Sequence, residues 1–143
     1  MKGYLLVRSE GKSYGLPVAR VLEVGDATEV LNIPRKVPAV RGLTPLRGRL
    51  VPLIHLGAFL MGSEAPAAPA NAVRTVVLVE LGAGGTGSGR QVAFEVDDAD
   101  AVVREQPLPV PRGQMLPWAA GVAEQEDGLV PILDLDALGD RMI

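Results

Sequence analysis

The chain has 143 residues, 17 Asp and Glu against 14 Lys and Arg, a single His and no Cys; apolar residues make up 48% of it and aromatics 3%. That length suits one domain that buries about two-thirds of its unfolded surface, with no need of a disulfide or metal to fold. Thiol catalysis, disulfide scaffolds, Cys-based zinc sites and two-His metal sites are excluded, and a net charge of −3 exerts no global pull on nucleic acid.

Nineteen Val, 12 Pro and 17 Gly leave few stretches long enough for a helix and favour strands. The apolar N-terminal stretch of Tyr4–Arg8 is too short for a signal peptide. It is followed by the turn Ser9-Glu10-Gly11-Lys12 and by Ser13–Val18, which together predict a β-hairpin with Gly11 at positive φ. The run from Val18 to Val24 fits either a helical or an alternating pattern, with strand favoured for Val21–Val24. Arg41–Leu46 and Arg49–His55 predict two short strands around Arg47-Gly48, and a helical turn follows at Leu56–Met61. Residues 62–72, rich in Ala and Pro, form a linker. Val76–Val79 and Val92–Val96 are strand-like. Gly121–Gln125 and Leu129–Asp134 form another pair around Asp127-Gly128, before a helical turn at Leu135–Leu138. The longest charge-free run, Leu50–Ser63, has 14 residues. A membrane-spanning helix needs about 20, so a cytoplasmic protein with no direct membrane insertion is expected.

Two segments repeat. A shift of 79 places Gly42-Leu43 on Gly121-Val122, and Leu50-Val51-Pro52-Leu53-Ile54-His55-Leu56 on Leu129-Val130-Pro131-Ile132-Leu133-Asp134-Leu135. A shift of 78 places Gly11-Lys12 on Gly89-Arg90 and Val18 on Val96. Pro lacks a ladder donor and is confined to strand edges, starts and bulges, so its recurrence predicts that both copies bend or end a sheet alike. The expectation is an all-β single domain over 1–143, with pseudo-repeat halves at about 1–61 and 73–140 joined by the 62–72 linker. Charge divides unevenly between them: residues 1–57 carry +5 and residues 91–143 carry −8. Two differently charged faces are one reading of that split, and a solvated surface is the other.

Candidate chemical motifs are few. Gly82-Ala83-Gly84-Gly85-Thr86-Gly87 has the spacing of a dinucleotide loop, the basis of an alternative reading as a small ligand- or nucleotide-binding protein using Gly82–Gly89. Such a loop needs a helix next, and Arg90–Val96 alternates like a strand. His55 ends an apolar strand and, like its repeat partner Asp134, suits capping of the following helical turn. Asp97, Asp98 and Asp100, with Glu95, form an acidic cluster without the glycine turn and distal Glu of a calcium loop. They define a possible acidic partner face. Arg41, Arg47 and Arg49 lack the interleaved aromatics that stack bases, which points to protein rather than nucleic acid as partner. No catalytic constellation emerges, so no enzyme and no cofactor are expected.

Taken in order, these residues resemble the CheW-like adaptor family of bacterial chemosensory systems. Gly11–Val18 is similar to that family's first hairpin, Val21-Leu22-Glu23-Val24 to its V-x-E-I/V element, and Leu46-Arg47-Gly48-Arg49-Leu50-Val51-Pro52-Leu53-Ile54 to its L-R-G signature strand. Val92–Val96 with Asp97, and Leu129–Leu135, resemble its second half. The resemblance implies two intertwined five-stranded β-barrels on a shared core, with short helical turns. It implies a non-enzymatic scaffold that couples chemoreceptor cytoplasmic tips to the regulatory domain of a CheA-type histidine kinase. Its receptor side would comprise Val21, Glu23, Arg41, Gly42, Arg47, Gly48 and Leu50, with Arg47 paired to Glu23. His55, Gly57 and Pro45 depart from the residues usual in the family, which leaves as an alternative a divergent accessory adaptor that binds receptors or array components but not the kinase.

Overall fold

The computed structural model describes residues 3–34, 37–69, 72–82, 90–104, 107–110, 117–125 and 128–140. Ten strands form in chain order: β1 (Tyr4–Ser9), β2 (Lys12–Pro17), β3 (Val21–Ala27), β4 (Val40–Leu46), β5 (Arg49–His55), β6 (Arg74–Leu81), β7 (Arg90–Val96), β8 (Asp98–Val103), β9 (Ala119–Gln125) and β10 (Gly128–Leu133). Two short helices, α1 (Leu56–Met61) and α2 (Leu135–Asp140), follow β5 and β10, and a 3₁₀ turn at Val18–Arg20 precedes β3. The strand β8 is an addition to the sequence reading, which saw only an acidic cluster there. Its Asp-rich pattern has little strand propensity, and it pairs on one side only, with β1.

The strands form two five-stranded sheets, β8-β1-β2-β10-β9 and β3-β6-β7-β5-β4. Neither sheet takes its strands from one half of the chain. The hairpin β1–β2 joins β8, β9 and β10 from the second half, while the hairpin β6–β7 joins β3, β4 and β5 from the first. The first hairpins are thus exchanged, and two parallel ladders fix the exchange: Leu53 opposite Ala93, and Ile132 opposite Gly15. These are equivalent pairs under the shifts of 79 and 78. In each copy the parallel ladder begins at the residue after the repeated proline, Pro52 or Pro131, where the missing N–H leaves no ladder bond unmade.

The duplication extends to irregularities. Register slips next to Leu22 in β3 and in the corresponding part of β8, and next to Arg41 in β4 and Ala120 in β9. The resemblance implies two five-stranded barrels; the two five-stranded sheets are present, but neither closes as a barrel through a continuous ladder. Instead one isolated bridge joins the two ends of each: Leu31 to Leu43, and Leu108 to Val122. In the first bridge, Leu31 N–H donates to Leu43 O at 2.7 Å and Leu43 N–H to Leu31 O at 2.9 Å.

The core has three parts. The largest lies between the sheets and helices and takes Leu5, Leu16, Ile54, Phe59, Val77, Phe94 and Leu133 from both halves. A second fills the interior of the β3–β7 sheet, with Leu53, Val76 and Leu78, and a third, with Tyr4, Ala123 and Ile132, fills the other sheet. Strand β6 therefore buries both faces, Val77 and Val79 in the shared core and Val76 and Leu78 inside its own sheet, which is why it reads as an unbroken apolar run. Each such side chain contributes about 1.5–3 kcal/mol of burial.

Both helices start on a side-chain cap. His55 Nδ1 accepts from Ala58 N–H at 3.1 Å, and Asp134 Oδ1 accepts from Asp136 and Ala137 N–H at 3.1 Å each. His55 thus does in the first copy the same local work as Asp134 in the second. The glycine-rich loop begins after β6 and ends at β7, the two strands of an antiparallel hairpin with Leu81 opposite Arg90. Residues 83–89 lie outside the described residues, but the element after them is a strand and not the helix a phosphate loop requires.

Two predictions follow from this packing. Gly42 sits at φ +150°, and a Cβ there would collide with the Leu31 carbonyl oxygen of the closing bridge. Gly42→Ala should cost about 2 kcal/mol or more, whereas Gly11→Ala, at φ +77° in open space, should cost about 1 kcal/mol, read from urea midpoints at unchanged m. Removing the first cap by His55→Ala should cost about 1 kcal/mol or more, and His55→Asp should recover the capping part of that loss in the same measurement.

Candidate partner-binding site

The Arg47-Gly48 turn between β4 and β5 places both residues at positive φ, +53° and +77°, the geometry of a tight primed hairpin turn. Gly48 adopts it freely, and Arg47 at a cost of about 1–2 kcal/mol. Glu10 and Gly11 turn the first hairpin in the same way, at +54° and +77°, so strain alone does not single out Arg47. What does is its partner. Arg47 Nε lies 3.7 Å from Glu23 Oε1, with side chains 52% and 38% exposed. The distance makes an ion pair without a hydrogen bond, so the expected pair is present and its guanidinium retains donors for another group. Glu23 Oε2 stands over Gly25, 3.4 Å from where a Cβ would be; both positions lie on the interior side of the sheet, opposite Leu78 and Val76.

The other expected receptor-side residues separate into different roles. Leu50 is 55% exposed and, by strand alternation from Val51 and Leu53, stands on the opposite, inter-sheet face. Val24, 48% exposed, shares that face, since its partner Val77 belongs to the shared core. Val21 is half-buried against the same core. Gly42 and Gly48 shape the backbone. Arg41 lies six residues from Arg47 at the other end of β4, roughly 20 Å at strand rise, and its side chain is mostly buried. It is 12% exposed and gripped by Glu95, Nε to Oε1 at 2.6 Å and Nη2 to Oε2 at 3.1 Å, while Nη1 donates to Pro66 O at 2.6 Å.

Sequence reasoning missed Val24 and Leu31, 48% and 55% exposed. The repeat carries the signal for them. Val24, Leu31 and Leu50 correspond to Val102, Leu108 and Leu129, and those three are also exposed, by 49%, 46% and 61%. A large apolar side chain left in solvent at the same place in both copies marks two related rims around the shared core.

The acidic residues also divide. Asp97 Oδ2 accepts from Glu10 N–H at 2.9 Å, and Asp97 N–H donates to Arg8 O at 2.7 Å, so this residue anchors the first hairpin turn. Asp98 and Asp100 are exposed on β8, an end strand whose charges oppose edge-to-edge pairing. The charge split along the sequence does not become two oppositely charged sheets. Residues 21–96, which hold all of β3–β7, carry seven Lys and Arg against six Asp and Glu, and the remainder seven against eleven. Hairpin exchange mixes the two halves.

Among the described residues no group of His, Asp and Glu side chains comes together as a metal site, and no helix is long and apolar enough to cross a membrane. Tyr14, edge-to-face with Trp118 at 6.0 Å between ring centres, has its hydroxyl pKa raised by burial and secondarily by the Glu10 carboxylate.

Comparison with known proteins agrees with this architecture. The chain is similar in fold to the scaffolding protein TtCheW from Thermoanaerobacter tengcongensis, with a TM-score of 0.76 and 22% identity over 96% of this chain and 91% of that one. No curated protein matches it in sequence. The model of the CheW-like domain matches residues 3–142, and with two exchanged five-stranded sheets around one core, the chain belongs to the CheW-like domain family.

Proposed function

We propose that the chain is a non-enzymatic cytoplasmic adaptor that binds the cytoplasmic tip of a chemoreceptor and couples it to the regulatory domain of a CheA-type histidine kinase. Membership of a family of chemotaxis scaffolds supports the adaptor class. The observation that carries the receptor side is the Arg47–Glu23 ion pair, half-exposed and 3.7 Å long. An arginine whose direction is set by a carboxylate meets a partner with less ordering cost than a free one. Leu50 and Val24 leave apolar area exposed on the other face of the same sheet, and Leu31 leaves more at the closing bridge; arginine itself is enriched in interface hot spots.

Kinase coupling is carried over from the CheW-like family, whose domain model matches residues 3–142. The departure at His55 does not weaken it, because His55 caps α1 as Asp134 caps α2. Asp98 and Asp100 offer a second, acidic surface for a partner.

Arg47→Glu and Glu23→Arg should each weaken binding to a receptor-tip hairpin by roughly tenfold or more, while moving the urea midpoint by less than the equivalent of about 1 kcal/mol, as expected of an exposed pair. The double exchange should recover part of the affinity; single variants that bind as well as the parent would remove the pair from the interface. For the kinase side, titration of the isolated regulatory domain should give saturable binding in the micromolar range. Receptor binding without any kinase binding would instead identify an accessory adaptor.

A further inference from the structure

A cavity of about 380 Å³ lies between the β3–β7 sheet and the segment after α1. Its walls include Arg41 and Arg74, the stretch Ala65–Ala68, Val30 and Asn32, and no acidic residue lines it among the described residues. Beneath it two guanidinium groups share one carboxylate. Glu95, 14% exposed, is held by both oxygens to Arg41. Arg74, whose side chain is 8% exposed, has Nε 3.3 Å from Glu95 Oε1 but lacks the alignment of a hydrogen bond, and that nitrogen is buried without a partner. Its other contacts are long: Nη1 to Ala72 O at 3.3 Å and Nη2 to Pro69 O at 3.4 Å.

Among the described residues the arrangement sets two guanidinium groups against one carboxylate in a largely desolvated place. Arginine cannot relieve this by losing its proton, and carbonyl dipoles at long range compensate a buried cation poorly. An anion in the cavity would. Its volume falls within the range of small-molecule sites, and Val30, Pro66 and the alanines offer apolar wall opposite the charged floor. We propose that this cavity binds a small organic carboxylate, its carboxyl group on Arg74 and its short aliphatic body against Val30 and the Ala65–Ala68 stretch. The site is separate from the Arg47–Glu23 surface, and neither proposal depends on the other.

The test is an NMR titration of the intact protein with butyrate, and in parallel with inorganic phosphate and chloride at matched ionic strength. Butyrate should give saturable shifts at the Arg74 Nε–H resonance and at the amides of Val30 and Ala65–Ala68, with dissociation constants in the millimolar range or tighter. Arg74→Lys, which keeps the charge but loses the planar fork, should weaken butyrate binding by roughly tenfold. The Nε–H reading on the parent protein stands even if that variant folds poorly. Absence of saturation at the Arg74 Nε–H, or phosphate binding as tightly as butyrate, overturns the carboxylate assignment.

Discussion

The two parallel ladders, β5 on β7 and β2 on β10, are the constraint on which the rest of the molecule depends. Each joins strands from different halves of the chain, so neither sheet is complete without a hairpin donated by the other half. The side chains on the inner faces of those hairpins, Leu5 and Leu16 from one and Val77 and Phe94 from the other, then meet in one core. Burial of both faces of β6 follows from this, because a strand in the middle of an exchanged sheet covers its own sheet interior on one side and the shared core on the other.

The candidate partner-binding positions lie where this framework runs out. The sheets close by a single bridge each, and the chain around those bridges is where large apolar side chains reach solvent: Val24, Leu31 and Leu50 in one copy, Val102, Leu108 and Leu129 in the other. The turn that holds Arg47 in a strained conformation sits at the same end as Glu23, and the two charges meet there without fully satisfying each other. One rim therefore carries a directed cation and the other is flanked by the acids of β8. Duplication has preserved the frame and differentiated its surfaces.

The buried charges do different work. Arg41 resembles Arg47 in sequence context, yet Glu95 holds it and its Nη1 donates to the linker carbonyl of Pro66. Arg74 reaches the same linker through Pro69 and Ala72. The connection between the halves is thereby tied to the β3–β7 sheet by two arginines that share a carboxylate, and this imbalance makes the adjoining cavity attractive to an anion.

The local elements were legible in the sequence because local physics sets them. Alternation and turn residues placed nine of the ten strands, α1 matched its predicted span, and the capping roles of His55 and Asp134 followed from their position before a helical turn. The repeated Leu-Val-Pro segment announced a duplicated unit, and the Arg47–Glu23 pair could be expected from the family resemblance. What only the tertiary structure decided is non-local. β8 is a strand because β1 supplies a partner that its Asp-rich composition does not suggest. Arg41 and Arg47, alike in sequence, are separated into a buried tether and a surface cation by which carboxylate each meets. The charge difference between the halves dissolves because exchange of hairpins mixes them. Hydrophobic period and turn chemistry act over a few residues and can be read along the chain, whereas burial and charge pairing depend on which distant strands come together.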